Sequence, residues 1–297
     1  MTRTAQAAEP VPIAIPPRLR VPDTARRIVR NPVAAISLAF ICVVVLAAVF
    51  APVLSPYDPI GSSIDTFARP SLAHPMGTDD LGRDVATRVT WGSRTSLYVS
   101  LLSVALGIFG GATIGLVSGF IGGAFDLIVQ RGIDSMLAFP GIVLAMALVA
   151  VLGISTTNAL IAIAIVIIPG TSRVVRSTVL VTKANVYIEA AVTIGASGQR
   201  VMLRHVLPNV MAPILILISA YLGNAILIEA ALSFLGLSTQ APEPSWGLML
   251  SGTGRRYMET APWLAIFPGL AISFTVLAFN MLGDVVRDVL DPRLRGT

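Results

Sequence analysis

The sequence is poor in the residues from which soluble catalytic and metal sites are built. It has one cysteine, Cys42, and two histidines, His74 and His205. A single cysteine excludes an internal disulfide and a thiolate metal cluster; within its apolar run Cys42 acts as a small apolar residue. Lys183, preceded by Thr182, is the only lysine. A phosphate-cradling loop ends in Gly-Lys-Ser/Thr, so the chain carries no P-loop of its own. Charged residues make up 12% of the 297 positions against 55% hydrophobic, and the mean hydropathy is +0.80. That balance lies outside soluble composition and defines an integral membrane protein. The net charge of +5 invites a nucleic-acid reading. However, the one dense basic cluster adjoins an apolar run, which positive-inside topology explains, so no nucleic-acid partner is expected. Neither a solenoid-type repeat nor an inverted repeat is evident.

What is present is a succession of apolar runs, each near the roughly 20 helical residues that cross a bilayer. They predict an all-α membrane protein with spans at 33–50, 95–121, 135–153, 157–176, 209–235 and 263–282. Residues 1–30, with arginines at 3, 18, 20, 26, 27 and 30 and no acid after Asp23, read as a disordered cytoplasmic tail. The membrane domain is then 31–297, with external loops at 55–94 and 237–262 and an internal polar loop at 177–208. The alanine-rich end of the first run resembles a signal-peptide cleavage region. Its apolar core is too long for that and more spans follow, so it reads as an uncleaved anchor. With both termini inside, 15 Lys and Arg fall inside and 6 outside, the asymmetry that sets orientation.

The polar loop is the organising stretch. Asn185 is placed to cap a short helix over 186–194, with Glu189 near its positive end. Gly195 can end that helix in the left-handed conformation, and Ser197 offers a second cap for a helix running to Leu207. On that second piece Arg200 and Arg204 share a face, beside the apolar pairs Met202/Val206 and Leu203/Leu207. A helix, a corner and a helix suit docking into a groove. Ala190 and Ala191 would admit a partner's backbone, and the arginines would meet its acidic groups.

Other residues leave two readings open. Gly107, Gly111, Gly115 and Gly119 form one stripe on the second span, either a sliding surface beside a pathway or a site of tight static packing. Glu229, with Asn224 in the same span, is a candidate for the pathway or its gate; an ionisable group there either meets a substrate amine or braces a neighbouring backbone. His74 with Asp79 and Asp80 suggests a metal site or, without a second histidine nearby, a solvated loop whose carboxylates cap a helix. Pro140-Gly141 marks a kink. Gly195-Ala196-Ser197-Gly198 resembles a rhomboid-protease motif. It lies in a basic polar loop with His205 only eight residues on, and Ser197 reads equally as a helix cap.

Glu189-Ala190-Ala191, three residues, Gly195, nine residues, then His205-Val206-Leu207-Pro208 resembles the cytoplasmic EAA loop of ABC-importer permeases, with His205 where that pattern prefers isoleucine. The runs His74 to Asp84, Trp91 to Leu97, Ala231 to Leu237 and Trp246 to Leu250 resemble the dipeptide and oligopeptide branch, as does Arg287 to Arg293. The resemblance implies a type I importer permease fold in a prokaryotic inner or plasma membrane, and a chain that is no enzyme. Its partners would be a second, similar permease, two ATPase subunits that bind the ATP and Mg, an extracytoplasmic binding protein, membrane lipid and a peptide substrate. No cofactor or metal is implied for this chain. Glu189, Ala190, Ala191, Gly195, Arg200 and Arg204 would couple it to the ATPase. A nickel or other small-solute importer and an ion-coupled carrier are the alternatives.

Overall fold

The computed structural model describes residues 30–290. The tail expected over 1–30 lies outside the described residues apart from Arg30, and the C-terminal motif lies partly outside them. Among the described residues there is no strand, only a single bridge between Thr78 and Asp84. Helix α1 (Pro32–Val49) starts where Asn31 accepts a hydrogen bond from Val33 N at 2.9 Å and Pro32 supplies a pre-set φ. A single turn, α2 (Ala51–Leu54), follows.

Helix α3 (Val85–Ile121) begins ten residues before the span expected at 95–121. Its 37 residues reach about 55 Å, well beyond a hydrocarbon core of about 30 Å. The polarity of 85–94, taken for loop, belongs to a helix that outruns the bilayer. Asp84 fixes its start by accepting from Thr87 N at 2.7 Å.

The third span also differs from the reading of 135–153. The segment between the second and third expected spans is helix α4 (Gly123–Leu137), which meets α5 (Gly141–Leu152) at 94°. Pro140 sits extended between them, lacks an N–H, and restricts Phe139. Helix α6 (Thr156–Lys183) carries Pro169 inside it and continues seven residues past 176, so the polar loop begins as helix. After two short helices, α7 (Val186–Thr193) and α8 (Gly198–Val201), a π turn over Met202–Val206 leads into α9 (Leu207–Phe234). The expected helix ending at Leu207 is instead the base of a continuous rod, Gly198–Phe234. Leu207 N bonds to Met202 O in the wider π register, one residue before Pro208, which has no N–H to give. The loop expected over 237–262 contains α10 (Trp246–Met249) and a second π turn, before α11 (Trp263–Leu290). Among the described residues, five helices are long and apolar enough to span a membrane, or six if the bent α4–α5 pair is one span.

The closest packing is between α3 and α6, which run parallel. A Cβ at Gly107 would lie 2.7 Å from Ala164 O, and one at Gly111 2.6 Å from Ile168 O; at Gly115 it would meet Ser172 O, and at Gly119 Val179 at 3.2 Å. The glycine stripe is therefore where two backbones touch, as membrane helices do where small residues remove side-chain bulk. Helix α9 covers the pair through Val210, Ile214, Ile228 and Leu232. A second cluster, with Ile41, Leu97, Ile226, Trp246 and Phe279, joins α1 and α11 to α3 and α9.

Candidate docking site

The polar corner over 185–206 stands at the end of the bundle where α3 and α6 finish. Asn185 occupies the cap position of α7, but its side chain does not cap that helix. It turns back instead, and Nδ2 donates to Val181 O and Thr182 O at 3.2 and 3.0 Å, closing the C-terminus of α6. Gly195 ends α7 with φ +86°: its N–H bonds to Val192 O and the N–H of Ala196 to Ala191 O. Those two bonds form a Schellman cap, which needs the left-handed conformation glycine takes freely. Ser197 Oγ accepts from Arg200 N at 3.4 Å, so the hydroxyl considered as a nucleophile is a helix cap. Asn209 Nδ2 reaches both His205 O at 2.6 Å and Tyr187 Oη at 3.2 Å, tying the return leg to α7.

This corner exposes what a soluble surface usually hides. Val186 is 80% exposed and Ile194 86%, with Tyr187, Val192 and Leu203 also exposed. Glu189 and Ala190 face outward; Ala191 turns inward and forms part of a hollow of about 420 Å³, with Ile194, Ala196, Arg200, Arg204 and His205 around it. Arg200 and Arg204 thus share one concavity, and among the described residues no carboxylate pairs with either. An open hollow with apolar walls and two free guanidiniums fits a protein surface that presents an acid beside apolar side chains.

The opposite end is internally closed. Asp79 accepts from Leu81 N and Arg83 N through Oδ1, and from Arg83 Nε at 2.7 Å through Oδ2. Arg88, buried on the first turns of α3, donates to Pro59 O at 2.6 Å and Pro242 O at 3.4 Å, joining both long loops. His74 Nδ1 lies 2.9 Å from Asp84 Oδ1. Thr253 reaches Asp80, and Trp263 Nε1 donates to Thr78 O. Among the described residues no group of three His, Cys, Asp or Glu could hold a metal ion.

Glu229 is fully buried on α9, where Oε1 accepts from Ser233 Oγ at 2.7 Å. Asn224, five residues earlier, is exposed on the outside of the chain, so the two do not converge. Sequence reasoning missed the ion pairs at the corner's end of the bundle: Arg176 with Asp126 at 2.7 and 2.6 Å, and Arg173 with Asp134 at 2.6 Å. The charges themselves were visible. Partners 50 and 39 positions apart were not.

The fold and its exposed corner define a polytopic helical membrane protein. Comparison with known proteins narrows the class. Residues 111–296 match the family described as binding-protein-dependent transport system inner membrane component, and residues 22–75 match the N-terminal TM domain of oligopeptide transport permease C. The chain is 44% identical over 272 residues to a dipeptide transport system permease protein of Alkalihalophilus pseudofirmus, covering 91% of this chain and 89% of that one. It is 43% identical over 274 residues to a glutathione transport system permease protein of Pectobacterium atrosepticum, covering 91% and 90%. Among solved structures it is similar to a chain of the inward-facing MetNI methionine ABC transporter, at 18% identity and TM-score 0.48 over 65% of this chain and 94% of that one. The chain belongs to the family of inner-membrane components of binding-protein-dependent transport systems.

Proposed function

We propose that this chain is one of two permease subunits of an ATP-driven importer of short peptides. Each of its partners would bring what the chain lacks: two ATPase subunits carrying ATP and Mg, a second permease completing the pathway, and an extracytoplasmic binding protein delivering substrate. The observation that carries the reading is the corner, where exposed apolar side chains surround two unpaired arginines. The peptide substrate rests on relatives named for dipeptide and glutathione transport. Both termini lie in the cytoplasm on the side of the corner, consistent with the inside excess of basic residues. ATP-driven closure of the partner subunits draws the corner inward, and the spans change access together. Such coupling needs each partner to bind one state better than the other, since equal affinity shifts nothing.

The test is uptake of a labelled dipeptide into vesicles bearing the assembled complex and its binding protein. Uptake requiring ATP inside and binding protein outside is expected. Uptake that persists without ATP and collapses with an uncoupler would replace the proposal with an ion-driven carrier.

A further inference from the structure

Where the corner meets the bundle, one leg is held by charged contacts and the other by apolar packing. Helix α6 ends at Lys183 and α7 begins three residues later, so any force on α7 enters α6 first. Three basic side chains on the last turns of α6 each reach a different neighbour. Arg176 grips the first turn of α4 through both oxygens of Asp126, in the two-pronged geometry that fixes orientation as well as distance. Lys183 Nζ donates to Phe120 O at 2.6 Å, at the C-terminus of α3 where carbonyls lack helical partners, and lies 5.2 Å from the centre of the Phe120 ring. Arg173 pairs with Asp134 on the last turn of α4.

These contacts are not equivalent. The Asp126 side chain is 10% exposed and that of Arg176 31%, against 46% and 60% for Asp134 and Arg173. A solvated pair contributes little, whereas removing one member of a shielded pair strands the other. Directly beside the shielded pair, Gly115 and Gly119 hold α3 against Ser172, Arg176 and Val179 without intervening side chains. The return leg has no ion pair among the described residues: it passes through Ser197, a single short helix and the π turn before entering α9, and is held by the apolar packing of Val201 and Val206 and by the Asn209–Tyr187 bond.

We infer that Asp126 and Arg176 form a strut that makes α3, the start of α4, α6 and the corner move as one body, so that the stroke on α7 reaches the spans. The residues are positioning residues; neither touches substrate. The inference rests on the function proposed above and adds where the force travels. The return leg then takes up the movement at the π turn over 202–206.

The test uses the assembled transporter in vesicles and reads peptide taken up per ATP hydrolysed, with the amount of assembled complex measured alongside. Asp126→Asn and Arg176→Gln each lower that ratio by about fivefold or more, while Arg173→Gln changes it by less than about twofold. The exchange Asp126→Arg with Arg176→Asp recovers at least half of the loss. Ratios unchanged in both single variants, or lost equally in Arg173→Gln, overturn the strut. A second measurement does not depend on these variants assembling. With Asp126→Cys and Arg176→Cys in a Cys42→Ala background, the ratio falls as in the single variants and joining the two thiols by a short cross-linker restores it, because the strut does not open during the cycle. Uptake abolished by the cross-link overturns it. An unmodified complex that takes up peptide without ATP would discard the proposed function itself, a result distinct from any variant's failure.

Discussion

The two ends of the bundle handle charge in opposite ways. At the end carrying the long loops, two arginines are held within the chain, Arg83 by Asp79 and the buried Arg88 by Pro59 O and Pro242 O, while Arg69, Arg94, Arg255 and Arg256 are exposed. At the corner, Arg200 and Arg204 point into an open hollow with no carboxylate among the described residues, beside apolar side chains that water does not favour. A buried guanidinium with all its partners at home locks the loops together. An exposed pair without partners is a surface waiting for another molecule's acids. The contrast separates an end whose long loops are bonded to one another from the end proposed to dock on a partner.

That contrast can be broken most sharply at the corner. Gly195→Pro cannot hold φ +86°, and Glu189→Lys reverses an exposed charge. Each is expected to lower ATP-coupled uptake by about 100-fold while leaving the chain inserted at normal abundance. Normal coupled uptake in both would remove the docking assignment. The next effect belongs to the opposite end and to stability. Arg88→Ala strands the carbonyls of Pro59 and Pro242, costing about 3 kcal/mol, read as a lower unfolding temperature. Arg200→Ala, exposed and unpaired, leaves that temperature unchanged. Equal losses would erase the distinction between the ends. A smaller effect tests the junction that links them: Gly111→Ala forces a methyl onto Ile168 O and costs about 2 kcal/mol, whereas Gly132→Ala meets nothing within 4 Å and is neutral or slightly stabilising.

Features dictated by local chemistry were readable from the sequence. The apolar runs announce the spans and Gly195 announces a corner; the helix cap sought at Asp79 and Asp80 is made instead by Asp84, with Thr87 N. Features that depend on distant partners were not. The polar start of α3 looked like loop because the sequence does not say how far a helix outruns the bilayer. The α4–α5 bend of 94° was compressed into a kink, and most of α4 was left outside the expected spans, because the amphipathic 123–137 lacks the uniform apolarity of a span. The register shift at Met202–Val206 is the answer of one helix to Pro208, and a proline signals a break as readily as an adjusted continuation. Asn185 was placed correctly and misread in direction, since a cap residue between two helices has orphan groups on both sides. The Asp126–Arg176 pair is invisible without the fold that brings α4 to α6.

The central claim is that the corner seats in an ATP-hydrolysing partner. Ala190 is exposed at its tip, and Cys42 is the only thiol to remove. The most direct test is therefore Ala190→Cys in a Cys42→Ala background, cross-linked in membranes that also contain the ATPase subunits. An adduct to an ATPase subunit whose yield changes with ATP is the predicted result. A correctly inserted and assembled protein that gives no adduct, with or without ATP, would contradict the account.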